Sequence, residues 1–288
     1  MLPCREMQGA RTLSRAPLAA LALLLACDLG SFESLSTDEA TAGTDEVTLT
    51  ARRFWSGYAA PEPEIAKLTA DLEAILARAG GEQLTVGALE KGANANVGLD
   101  KTIDASEAAG ILLVAEIDCK LDEIDKLVIA TNQPELYPDV YDDYKRTYRS
   151  SYQDYLARRA ESLRWETVNT VSYLSRQYRS ILNGGSRYLP HGGPGGKPVI
   201  LSRTWLTAPP VLLKGSEFEF KQDYQIEVYY ELPNGRTRHF YGVWRELRMG
   251  SITAASSLYQ TFFLGNLSDA DKHAGVVCKS GTPKAKFD

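Results

Sequence analysis

YQIEVYYELPNGRTRHFYGVWREL, running from Tyr224 to Leu247, carries the clearest structural signal in the chain. Two runs rich in β-branched and aromatic residues flank Asn234-Gly235, a dipeptide that supplies the positive backbone angles of a tight hairpin turn. Placing that dipeptide at the tip pairs Tyr230 with His239, Val228 with Tyr241 and Ile226 with Val243 on one face. The other face then pairs Glu231 with Arg238, Tyr229 with Phe240 and Gln225 with Trp244. This register gives a nearly continuous apolar face and an opposite-charge pair near the tip, as cross-strand packing favours. It also sets Trp244 on the side away from Ile226, Val228 and Tyr230.

Upstream of the hairpin, Leu163 to Leu174, Arg176 to Leu182 and Val199 to Leu206 alternate with period two and read as strands. Between them, Gly195-Gly196-Lys197 invites a phosphate-loop reading. Pro198 stands where that motif needs Ser or Thr and His191 where it needs its first Gly, so the segment reads as a turn. Ile111 to Ile117 is a short apolar strand, and Leu121 to Ala130 follows with Leu121, Ile124, Leu127 and Val128 on one helical face. From Pro138 to Ala160 the spacing predicts a long helix. Tyr137, Tyr141, Tyr144, Tyr148, Tyr152 and Tyr155 recur every three or four residues, on one narrow stripe. That stripe reads either as the aromatic wall of a cavity, with Tyr141, Tyr144 and Tyr148 orienting a ligand, or as packed core with hydroxyls at a wet rim.

Downstream of Gly250, Leu258, Phe262, Phe263, Leu267, Ala270, Ala274 and Val277 follow helical spacing over about 254–278, with a possible break at Gly265-Asn266. Near the N-terminus, Ile65, Leu68, Leu72, Ile75 and Leu76 mark a helix opened by Pro61 to Glu64. Leu84 to Gly110 lacks a sustained period and reads as a long connection within an N-terminal helical region spanning 53–109.

The first 26 residues carry Arg5, Arg11 and Arg15 and then an apolar segment, Ala16 to Ala26, too short to span a bilayer, which is the build of an export signal. Ending on Leu24-Leu25-Ala26-Cys27, it resembles the lipobox of bacterial lipoproteins. That resemblance implies acylation of Cys27 as the mature N-terminus and a periplasm-facing membrane anchor. The other reading is an ordinary signal peptide with an incidental Cys27. Residues 27–52 are acidic, Ser/Thr-rich and poor in large apolar groups, and read as a tether. The formal net charge of −5 becomes more negative once the signal is removed, so nothing in it attracts nucleic acid. Cys119 and Cys278 are then the remaining thiols, either a disulfide or two buried free cysteines.

No motif for catalysis, metal or cofactor binding emerges. His191, His239 and His273 lie on a loop, a strand and a helix without neighbours at metal-ligand spacing, and His239 reads as a residue at the rim of the sheet. Asp118, Asp122, Glu123 and Asp125 lack the oxygen-ligand loop of a calcium site and read as a solvated helix start.

Strand, two helices, a run of antiparallel strands and a C-terminal helix make an α+β order over 110–288. Val114-Ala115-Glu116-Ile117 followed by a helix, and then Pro134-Glu135-Leu136-Tyr137-Pro138-Asp139-Val140, resemble the opening of START-like, polyketide-cyclase-like helix-grip domains. The resemblance implies an antiparallel sheet wrapped around the C-terminal helix, and a cavity for a lipid or other apolar small molecule lined by Trp205, Ile226, Val228, Tyr230, Leu258 and Phe262. The alternative is a structural or protein-interaction lipoprotein with no small-molecule ligand. An acid/base enzyme of the cyclase type would need paired polar groups deep in the cavity, which sequence does not place.

Overall fold

Backbone hydrogen bonds at the tip decide the hairpin. Leu232 N–H donates to the Arg236 carbonyl (2.8 Å) and Gly235 N–H to the Leu232 carbonyl (3.0 Å), while Gly235 sits at φ 79°. This is a three-residue loop, a tight turn closed by a left-handed glycine, and not the two-residue turn read from the sequence. In the computed structural model the register therefore moves by one residue. Tyr230 opposes Arg238, Val228 opposes Phe240, Ile226 opposes Gly242, and Tyr229 opposes His239. Because side chains alternate, the shift changes which faces meet: Trp244 joins Ile226, Val228 and Tyr230 instead of lying opposite them.

The structure describes residues 45–79, 83–99, 103–138, 140–173 and 175–288. Cys27, the expected signal and most of the expected tether lie outside the described residues. Two helices come first, α1 (Glu46–Ser56) and α2 (Glu62–Ala79), so structure begins inside the segment read as tether. Asp45 caps α1 by accepting the Thr48 N–H at 2.7 Å. The expected connection after α2 contains β1 (Gln83–Val86) before β2 (Ala109–Ile117), α3 (Leu121–Ile129) and α4 (Gln133–Leu136). Next come β3 (Asp143–Tyr148), α5 (Tyr152–Leu156), β4 (Ser162–Tyr173), β5 (Arg176–Leu189), β6 (Val199–Leu206) and β7 (Val211–Lys214). The chain closes with β8 (Phe218–Glu231), β9 (Thr237–Met249), β10 (Ile252–Thr253) and α6 (Ser257–Ser280), a helix unbroken at Gly265-Asn266.

The strands form an antiparallel sheet in the order β1-β2-β9-β8-β6-β5-β4-β3, with β7 on β5 and β10 on β9. The expected Tyr-striped helix is β3 plus the short α5. Asp143 to Tyr148 pair with Trp165 to Thr170 of β4, and the Tyr-Lys-Arg-Thr-Tyr run suits a half-buried strand as well as a helix. Tertiary pairing at the sheet edge settles that choice.

Both faces of the sheet are covered. On one, Phe54 and Trp55 of α1 and Ile65 and Leu72 of α2 pack on Leu112, Val114, Leu201, Tyr224, Ile226, Val228, Tyr230, Phe240 and Trp244. Fully burying each large apolar group there contributes about 1.5–3 kcal/mol. On the other, α6 runs along β2, burying Tyr259, Ala274 and Val277. This is the helix-grip arrangement, a large antiparallel sheet held against its C-terminal helix, with the N-terminal helices closing the opposite face. Cys119, just after β2, is disulfide-bonded to Cys278 in the last turns of α6, with Cα atoms 5.5 Å apart and a sequence separation of 159.

Two stability measurements check this account. A Cβ at Gly235 meets nothing within 4 Å, so Gly235→Val costs only the left-handed conformation, about 1–2 kcal/mol by urea unfolding. Replacing both Cys119 and Cys278 by alanine lowers stability by roughly 2–4 kcal/mol, and dithiothreitol then has no further effect.

Candidate functional site

The face covered by α6 is unexpectedly polar. Alternation puts Asp223, Gln225, Glu227 and Tyr229 of β8 beside His239, Tyr241 and Arg245 of β9 on that side. The His239 ring stacks on Tyr229 (centroids 4.2 Å apart, 9° between planes) and, on its other side, on Tyr241 (5.5 Å, 18°). Its Nδ1–H donates to Asp271 of α6 at 2.9 Å, and Nε2 lies 3.5 Å from Glu227, which also accepts the Tyr229 hydroxyl. Further along, the Tyr241 hydroxyl donates to Gln225 (2.7 Å), Gln225 to Asp223 (3.1 Å), and Arg245 Nε to Asp223 (2.8 Å). Arg245 also donates to the Tyr259 hydroxyl at 2.7 Å. Two polar links, His239–Asp271 and Arg245–Tyr259, thus fasten α6 across the sheet.

Burial alone would push the His239 imidazole down, but the Asp271 and Glu227 carboxylates outweigh it and raise the ring to about 9. The two carboxylates therefore favour the imidazolium form at neutral pH. His239 is therefore a buried anchor at the centre of the sheet and not a rim residue.

Beside this network, β3 and β4 bring Tyr144, Arg146 and Tyr148 opposite Asn169, Thr167 and Trp165. The Arg146 guanidinium lies 4.5 Å above the Trp165 ring and donates to the Val128 carbonyl. Tyr144 Oη, Arg146 Nε, Trp165 Nε1, Thr167 Oγ1 and Asn169 Oδ1 are buried with no hydrogen-bond partner. Each such group costs about 1–3 kcal/mol, and five on two adjacent strands call for a cause. Tyr137 and Tyr141, just before β3, reach the same region. Burial raises both hydroxyls above their ordinary range, and the Glu227 carboxylate adds to the effect. Tyr141, Tyr144, Asn169, Thr204, Gln225, Glu227 and Tyr241 all remain half-buried, although they sit on the face that α6 covers. Their partial exposure marks a gap in the cover that α6 gives this face, from β3 to β9.

The sequence-expected lining residues do not form one set. Tyr141 and Tyr144 are at the gap, their rings 4.9 Å apart. Tyr148 is on the same face, but its hydroxyl is taken by the Ile129 carbonyl at 2.7 Å. Ile226, Val228 and Tyr230 are fully buried on the opposite face under α1 and α2, where the Tyr230 hydroxyl donates to Glu73. Trp205 is also on that opposite face. Leu258 and Phe262 belong to α6 but stay 64% and 48% exposed. Asp125, read as part of a solvated helix start, is fully buried and accepts from Tyr155 (2.8 Å) and Arg158 (2.5 Å). The residues that sequence reasoning missed are Glu227, His239, Asp271 and Arg146. The one available signal was the polar set Gln225 and Glu227 alternating with Ile226 and Val228 in a strand covered on both sides.

Neither a protein-family profile nor a curated protein sequence matches the chain. Among solved structures, human STARD10 is similar over 61% of this chain and 66% of its own, at 9% identity and a TM-score of 0.40. A START superfamily protein from Mycobacterium smegmatis aligns over 60% of this chain and 99% of its own, at 13% identity and a TM-score of 0.38. The lipid transfer and protein localization domain of human StarD13 aligns over 62% and 79%, at 11% identity and a TM-score of 0.36. These likenesses assign no residue, ligand or activity to this chain.

Because His239 titrates at about 9 when folded against 6.5 for a free imidazole, its stabilisation is complete below pH 6.5 and is lost as pH rises through 9. Stability therefore falls across that window by an amount on the order of 3 kcal/mol. In His239→Gln, guanidinium titrations between pH 6 and 9.5 give a nearly flat profile.

Proposed function

We propose that this chain is a lipid-anchored protein of the bacterial envelope whose body binds an amphipathic small molecule in the gap beneath α6. The observation that carries the reading is the row of unpartnered groups on β3 and β4. Tyr144, Arg146 and Trp165 offer hydrogen-bond donors, and Asn169 and Thr167 offer acceptors. A ligand with hydroxyl or carbonyl groups would satisfy them and recover the cost of their burial. Tyr137, Tyr141, Tyr144, Tyr229 and Tyr241 supply flat apolar walls for the rest of the molecule. With Glu227, His239 and Arg146 in the lining, a plain hydrocarbon fits poorly, and a molecule with an apolar body and several polar groups fits well. The address rests on the lipobox-like Leu24 to Cys27. The tether would let the body stand clear of the membrane.

A second reading, an interaction protein without a small ligand, is favoured by one observation. Leu258 and Phe262 on α6 and Val211 and Leu213 on β7 are exposed apolar side chains. They suit a protein partner better than a solvated surface.

Thr204 sits half-buried on the α6 face, beside Gly184 and Gln225. Thr204→Trp fills the gap: native mass spectrometry of the wild-type chain detects a co-purified small molecule, and the variant loses it while keeping its melting temperature within a few degrees. A wild-type chain that carries nothing, or a variant that keeps the ligand, removes the binding reading. Cys27→Ala tests the address separately by releasing the protein from the membrane fraction.

A further inference from the structure

The opposite face of the sheet carries a cleft that reaches Trp165 and Gly184 at its floor but is built chiefly from residues on the α1 side. It measures about 820 Å³, and its walls include Tyr58, Arg149, Arg164, Asn183, Arg203 and Trp205. Strand register builds it: Asn183, Gly185 and Arg187 of β5 oppose Trp205, Arg203 and Leu201 of β6 on the face that α1 covers. Four arginines and two glutamates line it, a positive balance in a chain of net charge −5. Arg149 pairs with Glu166 at 3.0 Å and Arg187 with Glu161. Among the described residues Arg164 and Arg203 have no carboxylate partner.

Arg203 is the unusual one. Its guanidinium lies 4.3 Å from the Tyr58 ring, 5.2 Å from Trp55 and 5.3 Å from Trp205. Three aromatic faces stabilise a cation, but they accept none of its in-plane N–H groups. Among the described residues its one hydrogen bond, to the Trp55 carbonyl, is long at 3.4 Å, and its Nε is buried without a partner, as is Trp205 Nε1. Burial lowers the guanidinium to about 10, with the Tyr58 hydroxyl acting slightly against this, so the group is charged at neutral pH. A desolvated cation beside a second unsatisfied N–H donor is costly unless an anion completes it.

We propose that this cleft is an oxyanion site for a small organic anion, a carboxylate or phosphate ester on a flat body. Arg203 and Trp205 hold the charged oxygens. The exposed Arg164 attracts the anion to the mouth, and the Tyr58 and Trp205 rings flank the body. The site does not depend on the binding proposed beneath α6.

The test is titration of the full chain with phenyl phosphate, benzoate, inorganic phosphate and the uncharged benzyl alcohol, read by indole fluorescence, since Trp55 and Trp205 flank Arg203. Phenyl phosphate or benzoate quenches saturably and benzyl alcohol does not. Arg203→Met weakens binding by about tenfold or more, Arg164→Ala weakens it several-fold, and Lys272→Ala, which removes an exposed charge from α6, leaves it unchanged. Arg164 is exposed, so its variant keeps the fold even if Arg203→Met does not. Sedimentation with phosphatidylglycerol vesicles separates the sources of the anion. Pull-down that phenyl phosphate displaces assigns a lipid headgroup, and binding of phenyl phosphate without pull-down assigns a free ligand. No saturable response to any anion, or equal responses of Arg164→Ala and Lys272→Ala, overturns the site.

Discussion

The loop Pro233-Asn234-Gly235 sets which side chains share each face of the sheet. It spends three residues at the tip of the β8–β9 hairpin where two would have reversed the partners. Since neighbouring side chains on a strand point to opposite faces, that one residue decides that His239 meets Tyr229 and that Phe240 and Trp244 meet Val228 and Tyr224. The first set becomes a polar face under α6, and the second becomes the apolar floor on which α1 and α2 rest. Both pairings look acceptable on the hairpin alone. Only one lets the Phe54 and Trp55 rings find Phe240 and Trp244 at 5.7 and 6.4 Å.

Two unlike interfaces then share one sheet. The α1–α2 side is held by area: large apolar side chains removed from water, with polar tips tied to neighbours, as Trp55 Nε1 is to the Ala93 carbonyl at 3.1 Å. The α6 side is held by apolar clusters towards the two ends of the helix, Tyr259 with Ile111, Leu206 and Leu247 and Ala274 and Val277 with Ile117 and Ile124, and by the His239–Asp271 and Arg245–Tyr259 contacts and the Cys119–Cys278 bond. Buried ion pairs bring little net stability for their desolvation, but losing one partner leaves a stranded charge. The α6 side is accordingly specific in geometry, packed towards its ends and polar between them. That is the condition under which the middle of a covered face stays half-accessible.

The N-terminal helices are structural partners of the sheet, not an appendage before it. Residues Phe54 and Trp55 complete its core. The same turn of chain places Trp55 and Tyr58 around Arg203. A segment whose first residues read as acidic tether thus supplies half of one interface and two walls of a cleft. Meanwhile His239, stacked on Tyr229 and Tyr241, pairs with Asp271 of α6 and so ties that helix to the middle of the sheet.

Much of this was legible in the sequence because it is local. Period-two alternation marked β4, β5, β6, β8 and β9, and helical spacing marked α2, α3 and α6. Their order pointed to an antiparallel sheet held against a C-terminal helix, as the structure has it. What was not legible depends on pairings distant in the chain. Tyr144, Arg146 and Tyr148 suit a helix by spacing and a strand by residue type, and only β4 alongside decides for the strand. Asn234-Gly235 announces a turn, but the strands' two packing partners choose between loops of two and three residues. The site residues Glu227, His239 and Asp271 lie far apart in sequence, and nothing local marks a carboxylate that will be buried. Residue spacing alone dictates which segments can bury an apolar stripe, because that property is local. Which face each stripe occupies, and hence what lines the gap and the cleft, was decided only when distant strands locked in register and helices covered both sides.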